Sequence, residues 1–112
     1  MQSKYRAKRT TVDGVTFASQ GEARRYQELR LLERAGEIQN LTTQPSFEIH
    51  PAFVGSDGKR HRAIRYIADF RYQDRGRDVV EDFKGVETPA FKLKAKMFQR
   101  LYPDILFRVT KR

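Results

Sequence analysis

The chain has 112 residues, 38% of them hydrophobic, and carries 23 Lys and Arg against 14 Asp and Glu, a formal charge of +9. This length predicts one domain over residues 1–112, with one core. The absence of cysteine excludes disulfides, zinc–thiolate sites and a cysteine nucleophile. No apolar run approaches the roughly 20 residues of a membrane span. The basic excess indicates a polyanionic partner, and nucleic acid is the first candidate.

The chain starts with a basic arm over residues 1–10, which we expect to be mobile and free to lie along a phosphate backbone. Asp13-Gly14 lies between short apolar stretches and predicts a small hairpin.

The first helix is predicted from Ser19 to Ala35, with Gly36 at its C-terminal end. Ser19 and Glu22 have the spacing of a capping box, so the carboxylate of Glu22 has an ordinary structural role available. The alternative is that Glu22 is a ligand beside acidic residues of a strand. The pattern favours the cap, and the two roles compete for one side chain.

Residues 44–49 are predicted to form a first strand, and Pro45 indicates its start or an edge position. Gln44 lies at the end of that strand, where its ordinary interpretation is a surface amide. Residues 51–60 are rich in turn residues and predict a loop or a wide hairpin connection.

Residues 64–72 alternate in a period of two, the pattern of a half-buried strand. One side of it carries Ile64, Tyr66, Ala68, Phe70 and Tyr72. A turn over residues 74–77 follows, in which Gly76 can adopt positive φ at little cost, and residues 79–84 form the return strand.

The register of this hairpin follows from its turn. If Asp74 and Arg77 flank a two-residue turn, opposed residues have numbers that sum to 151, and Asp69 then faces Asp82. Lys84 shares that face. A slip of one residue would bring Glu81 to Asp69 instead, so Asp82 is the favoured partner and Glu81 the reserve.

Two directly opposed carboxylates lie about 4.5–5.5 Å apart at Cβ and repel each other. A cation between them would relieve the repulsion, and Mg²⁺ favours one or two carboxylates together with waters and phosphate oxygens. The ordinary alternative is a solvated strand face on which basic side chains offset the acids. The hairpin alone leaves both interpretations open.

A second helix is predicted to begin at Thr88 and Pro89 and to end before Pro103. Its core-facing residues recur at helical spacing. Three lysines lie elsewhere on it and are either a solvated face or a surface for phosphate contacts; they are Lys92, Lys94 and Lys96. Residues 105–109 form the last strand. The order from Ser19 onward is α-β-β-β-α-β, which predicts an α/β fold in which a mixed sheet is flanked by helices.

This order, with a Glu on the first helix, Asp69 on one strand and Asp82-Phe83-Lys84 on the next, resembles the PD-(D/E)XK nuclease superfamily. The resemblance covers about residues 17–110 and implies a restriction-endonuclease-like αβββαβ core. It implies that Glu22, Asp69, Asp82 and Lys84 are catalytic. Of these, Asp69, Asp82 and Glu22 would bind Mg²⁺ or Mn²⁺.

Residues 17–22, 44–45, 66–70 and 80–85 resemble more closely a group of small phage and prophage proteins of this superfamily, relatives of Holliday-junction resolvases. The step Gln44-Pro45 also occurs in related transposon-end-cleaving proteins, which makes Gln44 a candidate lining residue together with Glu81. The sequence departs from the short motif because Ala68, not proline, precedes Asp69.

The resemblance implies a metal-dependent DNA endonuclease acting in the cytoplasm, that of the host cell if a phage encodes it, with no membrane partner. Cutting two strands would call for a homodimer. A basic nucleic-acid-binding protein without catalysis is the alternative, since charge and size suit it equally. The only histidines are His50 and His61, and their spacing suits no metal site.

Overall fold

The structure is a computed structural model that describes residues 8–111; residues 1–7 of the predicted basic arm lie outside this range. The described chain has a mixed α/β fold with two helices, α1 (Gln20–Arg34) and α2 (Pro89–Leu101). The strands are β1 (Thr10–Val12), β2 (Val15–Phe17), β3 (Ile38–Thr43), β4 (Ser46–His50), β5 (Phe53–Val54), β6 (Arg60–His61), β7 (Ile64–Ile67), β8 (Phe70–Asp74), β9 (Arg77–Phe83) and β10 (Leu106–Thr110). No helix within this range is long and apolar enough to cross a membrane.

The central sheet has the strand order β10-β9-β8-β3, in which β9 and β10 are parallel and the other neighbours antiparallel. A second antiparallel pair, β4 and β7, continues from it. Two hydrogen bonds connect the pairs: the N–H of Gln44 donates to the carbonyl of Asp69 at 2.9 Å, and the N–H of Ala68 donates to that of Pro45 at 3.0 Å. The segments β3–β4 and β7–β8 therefore lie side by side, and each bends at the junction between its two strands.

The two helices cover opposite faces of the sheet. Val79 packs in one apolar cluster with Tyr26 and Leu29 of α1, whereas its neighbour Val80 packs in another with Phe98 of α2. Successive side chains of a strand point to opposite faces. The sheet is thus the middle layer of three, with a core on each side.

Both helices begin and end where the sequence predicts. The hydroxyl of Ser19 accepts the N–H of Glu22 at 3.1 Å, and that of Thr88 accepts the N–H of Phe91 at the same distance, with Pro89 as the first residue of α2. Gly36 follows α1 with φ of 79°, a left-handed conformation that costs glycine little. The hairpin predicted around Asp13 is also confirmed, as β1 and β2.

The register of the hairpin β8–β9 is confirmed. Phe70 pairs with Glu81 and Asp74 with Arg77, and every pair has numbers that sum to 151. The two-residue turn, Arg75-Gly76, has positive φ at both positions, which matches the twist of the flanking strands.

The prediction of one continuous strand over residues 64–72 is wrong. The chain breaks between β7 and β8, and the apolar residues expected on one face divide between the two cores. Tyr66 and Ala68 pack with α2, whereas Phe70 and Tyr72 pack with α1. The break shifts the alternation of the strand, so the apolar side chains after it point to the opposite face of the sheet from those before it.

Two further elements depart from the prediction. The segment Ile38–Thr43 is a full strand that pairs with β8, although a shift of register between Gln39 and Thr42 interrupts the pairing and obscures the alternation in the sequence. The region predicted as a loop or wide hairpin contains the short strands β5 and β6, which pair with each other.

Candidate active site

Asp69 lies at the junction of β7 and β8, where the chain changes faces. Its neighbours Ala68 and Phe70 pack in different cores, so Asp69 stands between the layer of α1 and the layer of α2. It is partly exposed. A carboxylate at this point can be approached by side chains from both layers, which an uninterrupted strand would keep apart.

Asp82 lies on β9 beside this junction and is fully buried. Its Oδ1 accepts the N–H of Asp69 at 3.0 Å, and its Oδ2 accepts the hydroxyl of Tyr66. In return, Oδ2 of Asp69 accepts the N–H of Phe83 at 2.8 Å. The two carboxylates are therefore held by each other's strands, as the confirmed register predicts.

Glu22 reaches the same place from the first turn of α1 and is 8% exposed. Burial is the largest effect and raises the pKa of Glu22, and the negative charge of Asp82 raises it further. The positive charge of Lys84 lowers this pKa, as do hydrogen bonds to Asp69 and to the backbone of Ala18. The net change is an increase. Cap and site therefore do not exclude each other. The backbone of Glu22 takes part in the cap, while its carboxyl group faces Asp69.

The closeness of the acids raises the pKa values of Asp69 and Tyr66. Burial and the charges of Asp82 and Glu22 raise the pKa of Asp69 to about 8, although the hydrogen bond from the Phe83 N–H opposes the increase. Burial and the negative charge of Asp82 likewise raise the pKa of the Tyr66 hydroxyl. Without a cation, the site favours a protonated Asp69 at neutral pH.

Lys84 is two residues beyond Asp82 and supplies the positive charge of the cluster. Its ammonium group lies 4.8 Å from the centroid of the Phe91 ring, a distance suited to a cation–π interaction. Its charge also acts on Glu22. The lysine therefore lies between the start of α2 and the carboxylates.

Gln44 is next to Asp69 across the paired strands, through the 2.9 Å main-chain hydrogen bond that closes the pairing of β3 with β8. It is exposed and has φ of 54°, which a residue with a side chain seldom adopts. Gln44-Pro45 is the bend that carries the chain from one core to the other, opposite the break at Asp69.

Glu81 lies away from the other acids, on the face of β9 that packs against α1. Its carboxylate accepts two hydrogen bonds from Arg25, at 2.6 and 3.0 Å, and one from each of two hydroxyls, those of Tyr72 at 2.6 Å and Thr110 at 3.0 Å. Burial alone would raise the pKa of Glu81, but these donors lower it overall. The structure brings Glu81 to Arg25 and leaves Asp82 as the acid beside Asp69.

The three lysines of α2 divide between two surfaces. Lys94 lines a groove of about 250 Å³ between β7 and α2, together with Arg65 and Lys84. Lys92 and Lys96 line a different groove, beside β10. Of these two grooves, the one with Lys94 also contains Lys84 of the candidate site.

The carboxylates suit a divalent cation in number and chemistry. Each oxygen of Asp82 accepts one hydrogen bond, and a carboxylate oxygen has a second lone pair available. Within residues 8–111 no group of three Asp, Glu or His side chains has the closeness needed to enclose a metal ion. Two carboxylates with waters and phosphate oxygens are sufficient for Mg²⁺. The residues therefore fit an ion whose coordination shell is completed by substrate and water.

Sequence reasoning missed Tyr66 and Arg25. A continuous strand would place Tyr66 on its apolar face, where the hydroxyl would not meet Asp82. The helical pattern places Arg25 on the solvent side of α1, although it binds a fully buried carboxylate. A buried acid needs a partner. Once Glu81 is placed on the apolar face, this rule indicates that a basic residue such as Arg25 must reach it.

The chain belongs to the family described as Protein of unknown function (DUF1064), which matches residues 2–112. No curated protein and no solved structure matches it.

Proposed function

We propose that this protein is a metal-dependent nuclease that hydrolyses phosphodiester bonds in DNA. The observation that carries the proposal is the meeting of Asp69 and Asp82 at the break between β7 and β8, with Glu22 and Lys84 beside them. Two carboxylates meet here, and the charge of a third acts on Asp69, in a chain of formal charge +9. Such a cluster is costly unless a cation compensates it.

The topology supports the same proposal. Once β3–β4 and β7–β8 are each counted as one bent strand, the order from α1 onward is α, three antiparallel strands, α, and a strand parallel to β9. This order agrees with the restriction-endonuclease-like core that the resemblance implies. The PD-(D/E)XK pattern would take its acids from α1 (Glu22), from the junction of β7 and β8 (Asp69) and from β9 (Asp82).

Asp69 and Asp82 would hold Mg²⁺ or Mn²⁺, and Glu22 would join through a water molecule. A divalent ion in this position supplies Lewis-acid activation of the phosphate and of a water. Tyr66 fixes Asp82 through a hydrogen bond, which leaves its carboxylate little freedom to rotate. Such supporting contacts raise the precision of a metal site.

Lys84 would stabilise negative charge that develops on the phosphate, and it lies in a groove with two other cations, Arg65 and Lys94. These flanking cations would bind the neighbouring phosphates. Contacts of this kind hold the backbone and do not read base sequence.

The rival proposal is a basic nucleic-acid-binding protein without catalysis. It explains the charge but needs neither the buried acids nor the lysine beside them. A short experiment separates the two: linear, nicked, flap and four-way-junction DNA are incubated with Mg²⁺, with Mn²⁺ or with EDTA. We expect cleavage of at least one form that depends on the metal. Binding of every form without metal-dependent cleavage would favour the rival.

A further inference from the structure

The hairpin β5–β6 is a separate feature of the surface. Its strands pair with each other and with no other strand among residues 8–111. From residue 51 to residue 62, every residue except Gly55 is exposed. The hairpin therefore contributes little to either core, and its aromatic and basic residues need another explanation.

Two aromatic rings stack on this hairpin. The ring centroids of Phe53 and His61 are 4.7 Å apart, with 14° between the planes, and His50 lies 5.5 Å from Phe53 on another side. Phe53 is nonetheless 48% exposed. A Cβ on Gly55 would lie 3.0 Å from the His61 ring, so the glycine lets the chain close over the histidine. The result is an aromatic platform that is open to solvent.

Positive charge surrounds the platform. Arg60 and Arg62 line a cavity of about 530 Å³ with Phe53 and His61, and Lys59 precedes them. Within the described range none of these three cations forms an ion pair with a carboxylate. The nearby Asp57 accepts the N–H of Lys59 within the turn. The guanidinium groups are thus free to bind an anion.

We infer that this hairpin binds single-stranded nucleic acid, with an unpaired base stacked in the cavity beside Phe53 and the flanking phosphates on Arg60 and Arg62. Aromatic faces accept any base, and cations that track the backbone complete such sites. An apolar protein partner would gain nothing from the unpaired arginines, and their charge complements a polyanion.

The position of the hairpin suits a substrate that also reaches the carboxylates. It follows directly on β4 and precedes β7, and the chain from Ile64 to Asp69, most of which is β7, spans at most about 17 Å. A few nucleotides cover that distance. The inference does not rest on cleavage, because a binding protein without catalysis would use the same platform.

The test measures affinity in EDTA, so that no cleavage can occur. The probes are a short fluorescein-labelled oligothymidine and a duplex of the same length. Phe53→Ala should weaken binding of the oligothymidine about tenfold and binding of the duplex less than about twofold, because only the single strand offers an unpaired base. Phe53→Trp should retain affinity, whereas Phe53→Leu should not, since it keeps apolar bulk but not the aromatic face.

The double variant Arg60→Ala, Arg62→Ala should weaken binding of the single strand and lower its salt dependence, by about 0.7 in slope for each phosphate that the variant no longer neutralises. The matched controls are Leu31→Ala, a similarly exposed apolar residue, and the double variant Arg34→Ala, Arg77→Ala. Both should bind as the wild type does. Wild-type affinity of Phe53→Ala for oligothymidine would overturn the inference, as would a change of oligomeric state in Phe53→Ala without loss of binding.

Discussion

Asp69 lies at the break in the strand and is also a proposed metal ligand. The break between β7 and β8 positions its carboxyl group between two layers, and burial together with the neighbouring acids Asp82 and Glu22 raises its pKa. A group whose pKa is higher in the folded than in the unfolded state stabilises the fold at low pH, and that contribution is lost as pH rises through the folded value.

The raised pKa of Asp69 predicts how the stability of the metal-free protein depends on pH. Between about pH 4 and pH 8 the wild type should lose stability as Asp69 is forced to ionise among acids. Asp69→Asn removes this cost, so it should have a higher melting temperature than the wild type at pH 9 in EDTA and a smaller advantage at pH 5. The measurement is thermal unfolding by circular dichroism. Parallel curves for the wild type and the variant would contradict the raised pKa, and Asp104→Asn, at an exposed site, is the control.

Glu22 has a structural and a proposed chemical role that one substitution can separate. Glu22→Gln keeps the backbone contact with Ser19 and the shape of the side chain but removes the negative charge. We expect cleavage to fall at least tenfold while the melting temperature changes little. Full activity would return Glu22 to a capping role alone. Glu28→Gln, an exposed substitution on the same helix, should behave as the wild type.

At the scale of elements, the alternation of residues 70–74 and 79–83 and the Arg75-Gly76 turn predicted the β8–β9 pairing correctly, and the capping residues predicted both helices. These signals are local. The break at Asp69 and the strand β3 could not be predicted, because both arise from long-range packing. The segments β3–β4 and β7–β8 pair with each other, and both pass from one core to the other at the same level of the sheet. The proximity of Asp69 and Asp82 followed from the register, but the contact with Tyr66 followed from the break.

The ion pair of Arg25 with Glu81 ties α1 to β9, and hydroxyls from β8 and β10 complete it. Removing one partner of a buried pair leaves a charge without compensation. Arg25→Met should therefore lower the free energy of unfolding by about 3 kcal/mol, measured by urea denaturation.

A matched pair provides the control for Arg25. Arg71 binds Asp78 with similar geometry, at 2.6 and 3.0 Å, but the two side chains are 40% and 32% exposed. Arg71→Met should cost less than about 1 kcal/mol, because solvent screens an exposed pair. Equal losses in the two variants would mean that burial does not set the strength of the Arg25 pair.

The two surfaces of α2 lead to a prediction about substrate binding. Lys94 shares a groove with Lys84, whereas Lys92 and Lys96 line another. Lys94→Ala should raise KM for DNA several-fold and leave the melting temperature unchanged, since it would remove one phosphate contact. The control is Lys92→Ala, which should have a smaller effect. A larger effect of Lys92→Ala would mean that the substrate lies along the groove beside β10.

At the largest scale, a chain with a net positive charge carries buried acids at its candidate site. The charge of +9 would attract DNA of any sequence, and the buried acids would oppose a phosphate unless a cation separates them. Without metal, loss of an acid should therefore leave DNA binding intact or strengthen it. With metal, loss of the same acid should remove activity. Opposite effects on binding and on cleavage distinguish a metal-dependent nuclease from a basic binding protein.

The most direct measurement is the rate at which Asp82→Asn cleaves DNA in Mg²⁺, beside its affinity for the same DNA in EDTA. Asparagine keeps the shape of Asp82: its Oδ1 can accept the N–H of Asp69, and its Nδ2 can donate to the hydroxyl oxygen of Tyr66. It lacks the charge that a metal requires. We expect Asp82→Asn to lose at least a hundredfold in cleavage rate, or about 3 kcal/mol of transition-state stabilisation, with affinity unchanged or higher. Cleavage at the wild-type rate by a folded Asp82→Asn would exclude a metal-dependent nuclease site at Asp82.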